Sequence, residues 1–586
     1  MTPRRHLAGD THRLLRTGLT GRRQIFRDVV LLGLLALMLM APGLGLRDPW
    51  PADEPRFALI ARDMVATGNW LFPQVGGDLY QDKPPVFFWA IALGYLATGA
   101  LKIAFLLPSL LAGVGTVLMV YDLGRRTWSR EAGLAAALLL VSSVQLVVQA
   151  RTAQIDMLLA FFTTAALYGI CRHLFAGPDW RAYAAGGFAA GLGVITKGTG
   201  FLPLLLLLPF FALRRRGFAG LWDGRGGARW WLAPAAAMAA ILLWLLPMLC
   251  VVAVSGDPQL AAYRDEILFG QTATRYLAPR GHHAPWYYFI VEVIPAFWLP
   301  GIALLPWLAS RWRDAWRERE GRSGVLLCWI VLVVLFFSLS PGKRGVYVLP
   351  ALPAFALAAG PWLGGLLERQ GVQRMGFALA TMVALVTGAA SIYLGFARPD
   401  KLAQLADRYD VASVAPLVAI AAGTGLILGI LGPSRGAYAW AATLALVVIV
   451  QGFWINPMMN SARSGREFVA SFEQAAVPGT ELGIVGYKEQ YLLYLTRPIT
   501  NFGHRRSRRE GSQEADDAAR WLNGAPGRAL VVDDARRAQC FASATATTPL
   551  GEANGLDWFL VLPPADAACA ERGDPAAALK YDPPRR

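Results

Sequence analysis

Charged side chains are scarce in this chain. Only 16% of its 586 residues are Asp, Glu, Lys or Arg, while 55% are apolar and the mean hydropathy is +0.40. Those values exclude an ordinary soluble domain. Acid is scarcer than base, 40 residues against 56, which leaves a formal net charge of +16. In a soluble chain that surplus would suggest nucleic acid. Here the arginines sit in short connections between apolar runs, where they work as topology signals, and no nucleic acid is expected. Cysteine is rare as well, with five in all. Cys171, Cys250 and Cys328 lie in or at the ends of apolar runs and read as packing residues, whereas Cys540 and Cys569 share the C-terminal tail and could pair in an oxidising compartment. The sequence has no Walker loop, zinc-ligand quartet, Gly-rich dinucleotide turn or solenoid repeat. Lys197 and Gly198 lack the preceding glycine spacing of a phosphate loop, so a nucleotide-driven machine is not expected.

What the chain does have is a succession of apolar runs of bilayer length. The first 28 residues carry seven arginines and precede the run from Val29 to Leu46. This predicts a basic cytoplasmic N-terminus and an uncleaved signal anchor, because no small-residue cleavage site follows. Further spans are predicted near residues 103–122, 131–149, 155–175, 181–196, 198–213, 230–253, 287–309, 324–340, 346–364, 375–396, 412–431 and 437–455, about 13 in all. Pro85 to Thr98 is apolar but covers only 14 residues, a length suited to an interfacial or re-entrant helix.

Counting that segment as non-spanning restores charge order. Arg125, Arg126, Arg130, Arg214 to Arg216, the run Arg311 to Arg322, Arg369 and Arg374 then fall inside. Residues 47–102, Ser255 to Trp286, the connection around Lys343, Arg398 to Asp410 and the tail after Asn456 fall outside. The tail alternates short apolar strands, such as Leu482 to Tyr487, Ala529 to Val532 and Trp558 to Leu562, with helical stretches such as Glu514 to Leu522. The expected fold class is therefore an α-helical polytopic membrane protein with a small C-terminal α/β domain. Its parts are a basic N-terminus (1–28), a membrane domain (29–455) whose outer loop 47–102 carries two interfacial helices, and the outer domain (456–586).

Chemistry-bearing residues gather on the outer side. Asp53, Glu54 and Arg56 follow the first span, and Asp82 and Lys83 close the same loop. A carboxylate pair beside cations at a membrane surface suits a substrate that is both phosphorylated and lipid-anchored. Asp53 and Glu54 would equally suit the N-cap of a helix entering at Pro55. In that helix Phe57, Ile60, Ala61 and Met64 form one apolar face, which predicts a helix lying flat on the bilayer. Pro84 and Pro85 hold Lys83 in place, although a snorkelling interfacial lysine is an alternative. Asp156 sits at the outer end of a span, where a carboxylate needs a partner or a purpose. Between two later spans, Gly342, Lys343, Arg344, Gly345 and Tyr347 form a cationic loop suited to a phosphodiester. Positive-inside logic gives those outer cations no topological task.

In this order the motifs resemble a known family. Asp53-Glu54, Lys83-Pro84-Pro85, the Arg-Thr-x-x-x-Asp end at Asp156, Thr196-Lys197-Gly198 and the Gly-Lys-Arg-x-x-Tyr-x-Leu-Pro loop are similar to the polyprenyl-phosphate-sugar glycosyltransferases of the GT-C fold. The likeness is greatest to the bacterial aminoarabinose lipid A transferases and more distant to the protein O-mannosyltransferases, and it covers the chain to about residue 460. It implies a cavity open to the periplasm and the bilayer, Asp53 as the catalytic carboxylate, and Arg56, Lys83 and Tyr347 as donor-phosphate ligands, beside which Lys343 and Arg344 of the cationic loop can bind the same phosphate. Tyr80 and Asp82 would lie in the same wall. Glu54 and Asp156 are further substrate-binding candidates, and Arg264, Asp265, Glu266, Arg275 and Tyr276, clustered in one outer loop, either contact a sugar or an acceptor head group or form a solvated face. Many relatives carry Glu where this chain has Asp82. The chemistry requires no cofactor, and a divalent metal at Asp82, His282 and His283 is the one alternative. Arg505, Arg506, Arg508 and Arg509 would meet anionic lipid head groups or solvent.

The implied activity moves a sugar from an undecaprenyl-phosphate carrier to lipid A or a related envelope acceptor, by inverting displacement at the outer face of a bacterial inner membrane. Two alternatives stand beside it: the same transfer onto a protein or polysaccharide hydroxyl, and a transporter or flippase of lipid-linked sugars. The transporter would need charged or broken helices near the midplane and related halves, whereas apart from Glu292 the spans read as nearly charge-free.

Overall fold

A computed structural model describes residues 21–274, 282–504 and 511–584. The chain is mostly helical up to Ser464 and ends in a mixed sheet. Among the described residues, seven helices are long and apolar enough to cross a membrane: Leu101–Thr127, Ile155–Ala176, Gly227–Ser255, Gly321–Leu339, Gly345–Leu367, Gln370–Ala397 and Pro433–Met458. Two bent pairs raise the number to nine. Arg130–Val141 meets Val144–Ala150 at 65°, and Phe289–Phe297 meets Ile302–Arg317 at 104°. The protein is thus a multi-span membrane protein.

Four segments expected to span fall short on length or hydropathy. Helix α1 (Gly21–Met40) begins among arginines, Trp180–Lys197 is rich in glycine, residues 199–215 begin as a 3-10 turn, and Ala415–Leu431 is short. Protein neighbours shield the second of these. Gly169 and Gly186 let the helices Ile155–Ala176 and Trp180–Lys197 touch backbone to backbone: a Cβ on Gly169 would lie 2.3 Å from the Ala182 carbonyl.

The arginine-bearing connections assemble at one end of the bundle. Arg322 donates to the Thr127 carbonyl at 2.7 Å and Arg319 to the Arg216 carbonyl at 3.1 Å, which joins three of them.

The loop after α1 holds α2 (Glu54–Thr67), a two-residue hairpin β1 (Gln74–Val75) and β2 (Asp78–Leu79), and α3 (Val86–Thr98). At 1.5 Å per residue α3 is about 20 Å long, too short for a hydrocarbon core of about 30 Å. The apolar face of α2 meets protein rather than lipid. Phe57, Ile60, Ala61 and Met64 are all buried, and the Phe57 ring packs on Phe87 and Phe88 of α3 at 5.5 and 5.6 Å.

The other side of α2 carries the C-terminal domain. That domain contains β3 (Glu481–Ile484), β4 (Ile499–Asn501), β5 (Arg528–Asp533), β6 (Thr547–Ala553), β7 (Leu556–Val561) and β8 (Leu579–Tyr581), in the order β6-β7-β5-β3-β4-β8. Strands β4, β3 and β5 are parallel and the outer pairings antiparallel. A disulfide joins Cys540 and Cys569 within a second small core. Arg62 donates to the Leu493 carbonyl at 3.0 Å, Tyr581 donates to Asp63 at 3.0 Å, and Asn501 donates to the Gly76 carbonyl at 3.0 Å. Buried charges on an amphipathic helix need partners, and here the sheet domain supplies them, so α2 is roofed by protein. The apolar face expected to rest on lipid rests instead on α3, and the sheet domain covers the other side of α2.

Candidate active site

The two acidic residues at the start of α2 differ in what they touch. Glu54 is buried and saturated. It takes a two-pronged ion pair from Arg47 and accepts from the amides of Trp50 and Ala153, each at 3.0 Å. A carboxylate offers about four acceptor positions, and all four are in use. Glu54, expected to bind substrate, instead staples the loop before α2 to the Arg151–Ala153 turn.

Asp53 occupies the N-cap position with no side-chain capping bond. Its carboxylate, 23% exposed, instead meets Arg56 Nη1 at 3.3 Å and Arg344 Nη2 at 3.4 Å. Pro55 starts the helix unaided, which frees Asp53 from a structural duty.

Arg56 is nearly covered. Its Nε donates to Glu489 at 2.6 Å, and its guanidinium lies 5.9 Å from the Tyr80 ring centre. Burial works against its charge, but Tyr80, Glu489 and Asp53 more than offset that penalty. Burial also pushes Glu489 upward, and Arg56 and His504 outweigh it, holding the carboxyl below the ordinary glutamate value. Tyr80 is itself buried, near Phe88 and His504, and its phenol is raised by burial. Asp82 and Lys83 are half-buried in the turn leading to α3.

The loop between two spans brings a second cluster to the same place. Arg344 precedes the 3-10 turn Gly345–Ala351 and accepts from the Tyr347 amide at 3.0 Å. Tyr347 receives Lys197, whose Nζ lies 4.4 Å from the ring centre and is ion-paired with Asp156. The partner that Asp156 required is therefore Lys197. Gln145 fixes the turn by donating to the Gly345 carbonyl at 2.9 Å.

Lys343 turns the other way. Its ammonium donates to the carbonyls of Ser340 and Ala284, at 2.6 and 3.0 Å, and its amide to the His282 carbonyl at 2.9 Å. Two of its three donors hold backbone, so in place of the phosphate contact expected of it, the side chain clamps two loops together.

Residues of the other outer loop are not drawn in. Arg264 pairs with its neighbour Asp265 at 2.7 Å on the surface, and Arg275 and Tyr276 lie outside the described residues. Residues 505–510, with the four arginines of the tail, lie outside them too. His282 and His283 are exposed, and His283 bridges to Gly342 through its backbone. Among the described residues, the one grouping of three potential metal-ligating residues within 4.8 Å is Asp516, Cys540 and Cys569. There the sulfurs are spent on the disulfide. Asp82, His282 and His283 form no such cluster.

A cleft of about 320 Å³ opens beside Asp53, walled by Arg47, Arg151, Arg344, Arg463 and Asn456. Four residues of the assembled site escaped sequence reasoning. Lys197 and Arg151 stand inside motifs noted there. Glu489 and Arg463 had no signal, being hundreds of residues from Asp53 with no pattern around them. The arrangement places one solvent-reachable carboxylate among fixed cations, a setting suited to binding and transferring groups attached to phosphate.

A family model for dolichyl-phosphate-mannose-protein mannosyltransferases matches residues 82–244. The chain is 30% identical, over 380 residues, to undecaprenyl phosphate-alpha-4-amino-4-deoxy-L-arabinose arabinosyl transferase 2 of Pseudomonas fluorescens (strain Pf0-1), covering 63% of this chain and 66% of that one. It is 32% identical over 356 residues to the corresponding transferase of Pseudomonas aeruginosa (strain PAO1), covering 57% and 61%. The chain thus spans less than two thirds of the length of these relatives. Among solved structures, ArnT from Cupriavidus metallidurans bound to undecaprenyl phosphate superposes with a TM-score of 0.70 at 22% identity, over 95% of this chain and 100% of that one. The chain has that fold, and the family resemblance expected from the order of its motifs stands.

Proposed function

We propose that this chain is a GT-C-type membrane glycosyltransferase that moves 4-amino-4-deoxy-L-arabinose from undecaprenyl phosphate to a phosphate of lipid A. The observation that carries the reading is Asp53: a carboxylate relieved of capping, held between Arg56 and Arg344, and open to a cationic cleft. The relatives' names supply the carrier and the sugar. In this reading the membrane is the bacterial inner membrane, the short helices complete thirteen crossings, the N-terminus is cytoplasmic, and the site and the 456–586 domain face the periplasm.

The reaction balances without a proton. An oxygen of the acceptor phosphate attacks the anomeric carbon of the sugar, the bond from that carbon to the carrier phosphate breaks with inversion, and the electron pair leaves on undecaprenyl phosphate. One phosphomonoester becomes a diester while the other diester becomes a monoester, so the net charge is conserved. The protein's task is to hold both partners and stabilise the charge gathering on the leaving phosphate. Lys83, Arg344, Tyr347 and Lys197 are the groups we assign to that phosphate, with Arg56 supporting Asp53 from beneath. Asp53 then has no proton to remove and pairs with the ammonium of the amino sugar. Transfer of this kind requires no metal.

The test is transfer by purified full-length protein, wild type and Asp53→Asn, from undecaprenyl-phosphate aminoarabinose to lipid A, read by mass spectrometry. Wild type should add the sugar, and the variant should lose about 10²- to 10³-fold in kcat, the scale of removing one preorganised polar group. Its Tm should be unchanged, because Asp53 caps nothing. Wild-type turnover by Asp53→Asn would overturn the assignment.

A further inference from the structure

We infer that the cleft beside Asp53 is a subsite for a phosphomonoester of the acceptor, gripped by Arg151 and Arg463 and sharing only Arg344 with the groups assigned to the carrier phosphate. The inference rests on the transferase reading and adds to it a second anion site. Its first support is a charge count. Arg47, Arg151, Arg344 and Arg463 line the cleft against two carboxylates, Asp53 and Glu54. Glu54 is spent on Arg47, and Asp53 is shared by Arg56 and Arg344. Among the described residues no carboxylate pairs with Arg151 or Arg463. Arg151 donates to the carbonyls of Leu39 and Val448 at 3.5 and 3.1 Å. Arg463 lies 4.6 Å from the centre of the Trp50 ring. Both are half-buried. A guanidinium taken out of water without a counter-ion is costly, and two on one wall of an open cleft define a place for an anion.

The second support is what the cleft omits. Lys83, Lys197, Tyr347 and Asp156 are absent from its lining, which includes Asp53 and Arg344. An inverting displacement needs the incoming oxygen on the face of the anomeric carbon opposite the leaving oxygen. A cleft that borders Asp53 and whose Arg151 and Arg463 are distinct from Lys83, Lys197 and Tyr347 fits a transfer that starts from one phosphate and ends on another. The third support is rigidity. Trp50 donates through its indole to Asn460 at 3.2 Å, and Asn460 donates to buried Asp48 at 2.9 Å, so the platform under Arg463 is fixed. The cleft is at the small end of the range for ligand sites, which fits a head group and not an acyl chain.

The experiment is equilibrium binding to the full chain in detergent, without donor. The probes are bisphosphorylated lipid A, the same lipid after phosphatase treatment, undecaprenyl phosphate and inorganic phosphate. Wild type should prefer the phosphorylated lipid by about 10- to 100-fold, the worth of a charge-assisted pair of contacts. Arg463→Gln should erase most of that preference and leave undecaprenyl phosphate binding within about twofold. Arg151→Gln should do the same, and because Arg151 also holds carbonyls, Arg463→Gln decides if that variant does not fold. Equal wild-type affinity for the two lipid forms, full preference retained in Arg463→Gln, or a loss confined to undecaprenyl phosphate would each overturn the subsite. Inorganic phosphate binding as tightly as the lipid would make it a free-anion site and overturn the acceptor assignment. Transfer measured on the same wild-type preparation separates the two readings. Transfer with no phosphate preference in binding removes the subsite alone, and phosphate-dependent binding without transfer removes the reaction alone.

Discussion

The start of α2 and the carboxyl ends of β3 and β5 are both crowded with carboxylates and arginines, and they use them in opposite ways. At the start of α2, Asp53 keeps 23% of its side chain exposed beside an open cleft. At the sheet, Glu514 and Asp533 are sealed: Glu514 accepts from the Gly486 amide at 2.9 Å, and Asp533 is ion-paired with Arg536. Burial raises the Glu514 carboxyl to about 7, despite that amide and the nearby Arg536. The carboxyl ends of parallel strands are where open α/β sheets usually bind ligands. Here those ends face the membrane domain, since Gly76 of the hairpin packs near Tyr487 and Leu492, and Glu489 reaches Arg56. Docking has taken the place of a ligand. The lesson is that similar residues become a reactive site or a seam according to whether water can reach them.

Glu489 is the stitch between the two regions, so Glu489→Gln should have the largest effect. It leaves Arg56 buried without its main partner, a loss of about 3–5 kcal/mol. Thermal unfolding in detergent should show a clear fall in Tm together with lost transfer. A fall in transfer at constant Tm would mean that Glu489 serves chemistry rather than docking.

Next comes pH. Glu514 has a folded-state pKa above its unfolded one, so the native state holds the proton more tightly. The stabilisation is complete below about pH 4.5 and is lost as pH rises through about 7. The span corresponds to a change on the order of 3 kcal/mol. Tm measured from pH 5 to 8 should fall with pH, and Glu514→Gln should flatten that slope. A slope unchanged in the variant would assign the pH dependence elsewhere.

Opening the Cys540–Cys569 disulfide by the double change to Ser should destabilise the sheet domain by about 2–4 kcal/mol, from a loop of 29 residues. It should leave the acceptor and carrier affinities of the folded protein unchanged. Arg264→Ala should do least. Its pair with Asp265 is on the surface and touches neither region, so transfer and Tm should both match wild type. A raised KM for the carrier would instead bring that outer loop into the site.

The membrane character, the α/β tail and the order of the motifs around Asp53, Lys83, Asp156 and Tyr347 were all legible in the sequence. Each depends on local composition or on spacing within one segment, and bilayer length and hydrophobic periodicity act on consecutive residues. The separation of Asp53 from Glu54 was not legible, because adjacent carboxylates look alike until one is seen to accept four hydrogen bonds and the other to cap no amide of its own helix. The turn of Lys343 toward two carbonyls, the pairing of Asp156 with Lys197, and the roof over α2 were hidden for the same reason.

By itself, the sequence determined that this is a helical membrane protein with its chemistry gathered at one set of loops, since apolar length and charge distribution are additive along the chain. Only the tertiary structure decided which charges stay open. Whether a carboxylate is free depends on donors arriving from Arg47 and Arg344, and whether Arg56 is paired depends on Glu489, all far apart in sequence, and the cost of burying charge is settled by that meeting and by nothing along the chain.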